Sequence, residues 1–141
     1  MNLEIESRWI KAGEVNTHYM VAGEGSPLIL LHGGANDWSD WKLNIGPLSQ
    51  YYRVYAPDLV GYGLSDGPKV EYSMSYFVDF LCNFTQALEL KRASLAGYSL
   101  GGGIALGLAL RFPDRVEKLV LADSMGLGKE INPLGRFVGT L

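Results

Sequence analysis

The chain has 141 residues, 48% of them hydrophobic and 19% charged, a balance that builds a buried core and speaks against a disordered chain. Twelve basic against fifteen acidic side chains give a formal charge of -3 without any lysine- or arginine-rich run, which argues against a nucleic-acid partner. A single cysteine, Cys82, cannot close an internal disulfide, and Glu4, Glu6 and Arg8 stand where a secretory signal needs an apolar run, so the chain reads as cytoplasmic.

Two β-branched and aromatic segments, 4–11 and 15–22, flank the turn residues Gly13 and Glu14 and predict an antiparallel hairpin. Pro27 opens the run 28–31, which lacks polar alternation, as a strand covered on both faces of a parallel sheet would. His32, Gly33 and Gly34 end it. Asp40 is expected to cap a short helix over 41–48, and 53–56 forms the next strand, stopped by Pro57. Between 75 and 90, Phe77, Phe80, Leu81, Phe84 and Leu88 recur at three- and four-residue steps and predict a helix with one face on the sheet. The uncharged stretch 93–110 is long enough to span a membrane, but five glycines, Ser94, Tyr98 and Ser99 break it into a strand over 93–97 and the start of a helix over 100–112. No membrane partner is implied. A last strand follows over 116–122, and strands alternating with helices at this spacing predict right-handed crossovers in a mostly parallel sheet behind the hairpin.

Gly97-Tyr98-Ser99-Leu100-Gly101 is a G-x-S-x-G set between a predicted strand and a predicted helix. A serine on so sharp a turn adopts a strained backbone, and glycines two before and two after it remove side chains that would collide with strand and helix. Ser99 is then a candidate nucleophile, with the N–H of Leu100 and the positive end of the helix beside it. The competing reading makes Ser99 an ordinary N-cap in a glycine-rich turn. The loop after His32 can aim a second N–H, from Gly34, at the same point, which completes an oxyanion hole. His32 itself is read as shaping that loop rather than taking a proton, and His18 as structural or surface. In the stretch 58–66, Asp58 and alternating glycines suit a sharp loop whose side-chain oxygens satisfy backbone donors. Its spacing cradles no phosphate, and Asp58 with Asp66 is too few for a hard-metal cage.

Taken in order, strand, His-Gly-Gly, strand, Asp-Leu-x-Gly-x-Gly-x-Ser, helix, Gly-x-Ser-x-Gly, helix ending Phe112-Pro113-Asp114-Arg115-Val116, and strand 119–123 resemble the α/β-hydrolase fold superfamily. The resemblance covers nearly all of residues 1–125. It lies with the branch of meta-cleavage-product carbon-carbon hydrolases, small esterases and cofactor-free haloperoxidase-like enzymes. It implies Ser99 as nucleophile and the amides of Leu100 and Gly34 as oxyanion hole. Epoxide hydrolases and haloalkane dehalogenases of this fold carry aspartate where Ser99 stands, which argues against both activities. In the family the acid and then the histidine follow the serine, yet no histidine follows His32 here. Asp123, at the end of the last strand, is a candidate acid, with a loop-starting aspartate as its other reading.

These features predict residues 1–125 as the N-terminal half of an α/β-hydrolase core and 126–141 as the start of a lid or cap segment, cut short. The expected substrate is a small hydrophobic ester or activated ketone, handled without metal or cofactor and with the histidine outside this chain. Leu134, Phe137, Val138 and Leu141, with Trp38 and Trp41, would line the pocket or else pack as ordinary core. Alone, the chain is expected to be nearly inactive. The strand 116–122 would stand as an exposed apolar edge and seek a second copy or a complementing chain. Two rivals are a non-catalytic module of the same fold that binds a ligand or partner, and a perhydrolase with the same triad.

Overall fold

A computed structural model describes residues 4–127 of the chain. The strands are β1 (Glu6–Ala12), β2 (Val15–Ala22), β3 (Pro27–Leu31), β4 (Arg53–Pro57), β5 (Ala93–Tyr98) and β6 (Val116–Ala122), and the helices α1 (Lys42–Leu48), α2 (Met74–Ala87) and α3 (Leu100–Arg111). Single 3-10 turns at Trp38–Trp41 and Pro113–Arg115 precede α1 and β6. One six-stranded sheet runs β1-β2-β4-β3-β5-β6, with β1 and β2 antiparallel, β2 and β4 antiparallel, and the remaining pairings parallel. This is the α/β-hydrolase arrangement of a mostly parallel sheet behind antiparallel N-terminal strands.

Strand β3 shows why its sequence lacks polar alternation. Ile29 and Leu31 pack with Phe77, Leu81, Phe84, Leu95, Ile104 and Leu108 on the α2 and α3 side, while Leu28 and Leu30 pack with Val54, Ala56, Ala96 and Ile45 on the α1 side. Both faces are covered, so both sets of side chains are apolar. Helix α2 buries Phe77, Phe80, Leu81 and Phe84, the face predicted from periodicity.

The boundaries differ in places. The first strand begins at Glu6, and α2 begins at Met74, where the Ser73 hydroxyl accepts from the Tyr76 N–H. Asp40 caps no helix: Asp37 caps the 3-10 turn through the Ser39 N–H, and α1 has no side-chain cap. Asp40 is drawn instead to the loop after β3. Strand β6 packs Val116, Leu119 and Leu121 against the α2 and α3 core, while Val120 is 60% exposed. Among the described residues β6 is paired only to β5. The segment 126–141, with Leu134, Phe137, Val138 and Leu141, lies beyond Leu127 for all but its first two residues and so outside the described residues.

Candidate active site

The turn from β5 into α3 is the sharpest point of the chain. Ser99 has φ 51° and ψ -115°, a left-handed backbone that side chains rarely adopt. A Cβ on Gly97 would stand 2.6 Å from Gly102 Cα and nearer still to Gly101 O, and one on Gly101 would stand 2.5 Å from His32 O and nearer to Leu31 O. Both glycines are required by the closeness of strand and helix. The turn is also tied to the end of β6: Ser99 N–H donates to Ala122 O at 3.1 Å, and Met125 N–H donates to Ser99 O at 3.0 Å. Ser99 is half-buried and its hydroxyl does not cap α3, so the N-cap reading does not describe it. Leu100 is the first residue of α3, and its N–H has no partner inside the helix.

The loop after β3 lies against this turn. A Cβ on Gly33 would come within 3.0 Å of the Tyr98 ring and 3.5 Å of Ser99 Cβ, and one on Gly34 within 3.7 Å of Leu100 Cδ2 and of the Tyr62 hydroxyl. The Gly33 N–H donates to Asp40 Oδ2 at 3.0 Å, while that of Gly34 has no partner among the described residues. Asp40 also accepts from the Asn36 amide. This lock on Gly33 escaped the sequence reading, because an aspartate before a helix signals a cap and nothing local points it backward.

His32 is fully buried and both ring nitrogens are engaged, Nδ1 donating to Gly33 O at 2.7 Å and Nε2 accepting from Leu59 N–H at 2.9 Å. Burial pushes its imidazole below the ordinary value, outweighing the Gly33 carbonyl and nearby carboxylates that lift it. Its role is to join two loops. Asp58 does the same from the other side, accepting from Trp38 N–H at 2.8 Å and Leu64 N–H at 3.0 Å, with Gly63 at φ 54° curled over its carboxylate. His18 is buried and bonded to Asp58 through Nδ1 at 2.8 Å, so it is not a surface residue. Neither histidine bonds to Ser99.

Asp123 follows β6 at φ 43°, exposed, and its carboxylate has no hydrogen-bond partner among the described residues. Trp38 and Trp41 pack against the α1-side core, and Trp41 also lines a shallow depression with Asp40, Asn44, Tyr98 and Ala122 beside the turn. Its indole N–H is buried without a partner among the described residues. No group of three or more His, Cys, Asp or Glu side chains among the described residues could hold a metal ion, and no helix there is long and apolar enough to cross a membrane.

Comparison with known proteins bears on this geometry. The chain is 38% identical over 135 residues to a 2-hydroxy-6-oxo-2,4-heptadienoate hydrolase of Pseudomonas putida, covering 93% of this chain and 49% of that protein. It is 41% identical over 124 residues to a 2-hydroxymuconate semialdehyde hydrolase of a Pseudomonas strain, covering 85% and 44%. Among solved structures, a meta-cleavage product hydrolase from Pseudomonas fluorescens superposes with a TM-score of 0.84 at 39% identity, covering 89% of this chain and 48% of that one. The chain thus spans about half the length of the curated relatives it matches. Residues 26–138, from the strand before the glycine loop to well past the strained serine, match the alpha/beta hydrolase fold, and to that family this chain belongs.

Proposed function

We propose that this chain forms the nucleophile-bearing part of a serine hydrolase that attacks a ketone or ester carbonyl. The observation that carries the reading is the left-handed backbone of Ser99, held with an uncapped hydroxyl at the head of α3. Ser99 Oγ attacks the carbonyl carbon, and the N–H groups of Leu100 and Gly34 receive the oxyanion. Gly34 suits that task because the Gly33 N–H is already spent on Asp40. The base has to come from outside the 141 residues, since His18 and His32 are both buried and committed to other partners. Asp123 would serve as the acid only if that histidine reached it. Among the described residues the far side of β6 carries no partner strand, and a further strand, from the same polypeptide or a complementing chain, would fit there.

Relatives named as hydrolases of 2-hydroxy-6-oxo-dienoates favour, among carbonyl substrates, a small hydrophobic ketone cleaved at its carbon-carbon bond. The test is kinetic. In a polypeptide that carries this core together with its histidine, Ser99→Ala is expected to lower kcat on a 2-hydroxy-6-oxo-dienoate by a factor on the order of 10⁴ to 10⁶. The 141-residue chain alone should show no Ser99-dependent turnover of p-nitrophenyl esters. Parent rates in Ser99→Ala would overturn the reading and favour a non-catalytic module.

A further inference from the structure

The buried His18 and Asp58 pair has a third member, Ser7, that lies apart from Ser99. Strands β1, β2 and β4 lie side by side, and the register sets Ser7 opposite Met20 and Trp9 opposite His18. Ser7 and His18 are therefore diagonal neighbours on one face of the hairpin. Asp58 directly follows β4, and its N–H donates to His18 O at 2.9 Å, which brings its carboxylate beside the imidazole. The outcome is a row across three strands: Ser7 Oγ lies 2.8 Å from His18 Nε2, and His18 Nδ1 lies 2.8 Å from Asp58 Oδ2.

Asp58 sets the direction of the row. Its carboxylate already accepts the Trp38 and Leu64 N–H groups, so it serves as an acceptor and Nδ1 of the ring carries the proton. With the proton on Nδ1, Nε2 presents its lone pair to the Ser7 hydroxyl, which donates to it. That order of hydroxyl, imidazole and carboxylate is the one that activates serine nucleophiles. The two inner groups are shielded, with side chains 3% and 1% exposed, and Trp9 packs its ring 5.3 Å from that of His18. Ser7, on the outermost strand, is exposed.

We propose that Ser7, His18 and Asp58 form a second, acyl-accepting site that takes the acyl group of small activated esters such as aryl acetates. Ser7 Oγ bonds to the carbonyl carbon while its proton passes to His18 Nε2. Collapse of the tetrahedral adduct breaks the bond to the aryl oxygen, which leaves with that proton as the phenol, and the acyl group stays on Ser7. The product is a stoichiometric ester on Ser7, distinct from turnover at Ser99. Four strand positions separate β1 from β5, about 19 Å at ~4.8 Å per strand, so the two serines cannot share a carbonyl and the proposal stands apart from the assignment of Ser99.

The test uses the 141-residue chain with Ser99→Ala, incubated with p-nitrophenyl acetate and read by peptide mass spectrometry. Acetylation of Ser7 is expected at least about tenfold faster than at Ser26 and Ser75, exposed serines without a histidine partner, and is expected to vanish in Ser7→Ala. Because replacing buried His18 can unfold the chain, a second variant keeps it. In Ser7→Cys, alkylation by iodoacetamide should follow a pH midpoint at least about one unit below the ordinary thiol value of roughly 8.5. Labelling of Ser7 no faster than Ser26 and Ser75, or an ordinary thiol midpoint, would mean that the hydroxyl only satisfies a buried ring nitrogen. Either result overturns the proposal.

Discussion

At Ser99 the side chain sits on a backbone that costs on the order of 1–3 kcal/mol. Such a conformation persists because its surroundings over-determine it, here through Gly97, Gly101 and the backbone bonds to Ala122 and Met125. Removing the Cβ should release part of that energy. Ser99→Gly is expected to raise the thermal midpoint by a few degrees, whereas Ser99→Ala, which keeps the Cβ, should leave it near that of the parent; calorimetry on the two variants checks this. His32 makes a second residue-scale prediction. Its folded imidazole lies below the ordinary value of about 6.5, so between the two values the unfolded chain binds more protons. The stabilising contribution is complete above about pH 6.5 and is lost as pH falls from there toward the folded value. The urea midpoint should therefore drop between about pH 7.5 and pH 5.5, and drop less in His32→Gln. Ser99 and its glycines were legible because five contiguous residues carry them, and the loop role of His32 followed from its neighbours. The contacts of Asp58 with Trp38 and His18 were not, since strand order brings those residues together and no local pattern reports it.

At the scale of elements, the head of α3 is pressed onto β3 with no room for a methyl group. Gly101→Ala would set its Cβ 2.5 Å from a main-chain oxygen that cannot turn away, and the overpacking should cost about 1–3 kcal/mol or more. Gly107→Ala, on the same helix, would meet a single methyl of Val78 at 2.6 Å, which can shift. Chemical denaturation should therefore rank Gly101→Ala well below Gly107→Ala. Apolar periodicity made the interior strands and α2 legible, because burial on one face or two leaves a repeat in the sequence. The start of α1 was misread for a physical reason. The carboxylate of Asp40 finds a better donor in the Gly33 N–H, and Asp37 takes over the cap.

For the whole molecule, the side of β6 left unpaired among the described residues bears on behaviour in solution. Along it, a row of backbone groups without a partner strand among the described residues, with Val120 60% exposed among them, would accept another strand. The 141-residue chain is expected to sediment as an oligomer at micromolar concentration, and Val120→Lys to shift it toward monomer. A compact monomer of the parent chain, melting cooperatively, would contradict this. The sheet order was only partly legible: alternating strands and helices foretell parallel pairing, but not that β4 comes between β2 and β3. The ties from Ser99 to Ala122 and Met125 reach further than stability. On the ribosome, the serine is made about two dozen residues before the strand end that fixes its backbone, a lag on the order of seconds at ~5–20 residues per second. During that interval the turn lacks the bonds that hold it left-handed. The nascent chain therefore carries a serine whose backbone is not yet fixed, and the left-handed geometry is secured only when the last strand has docked.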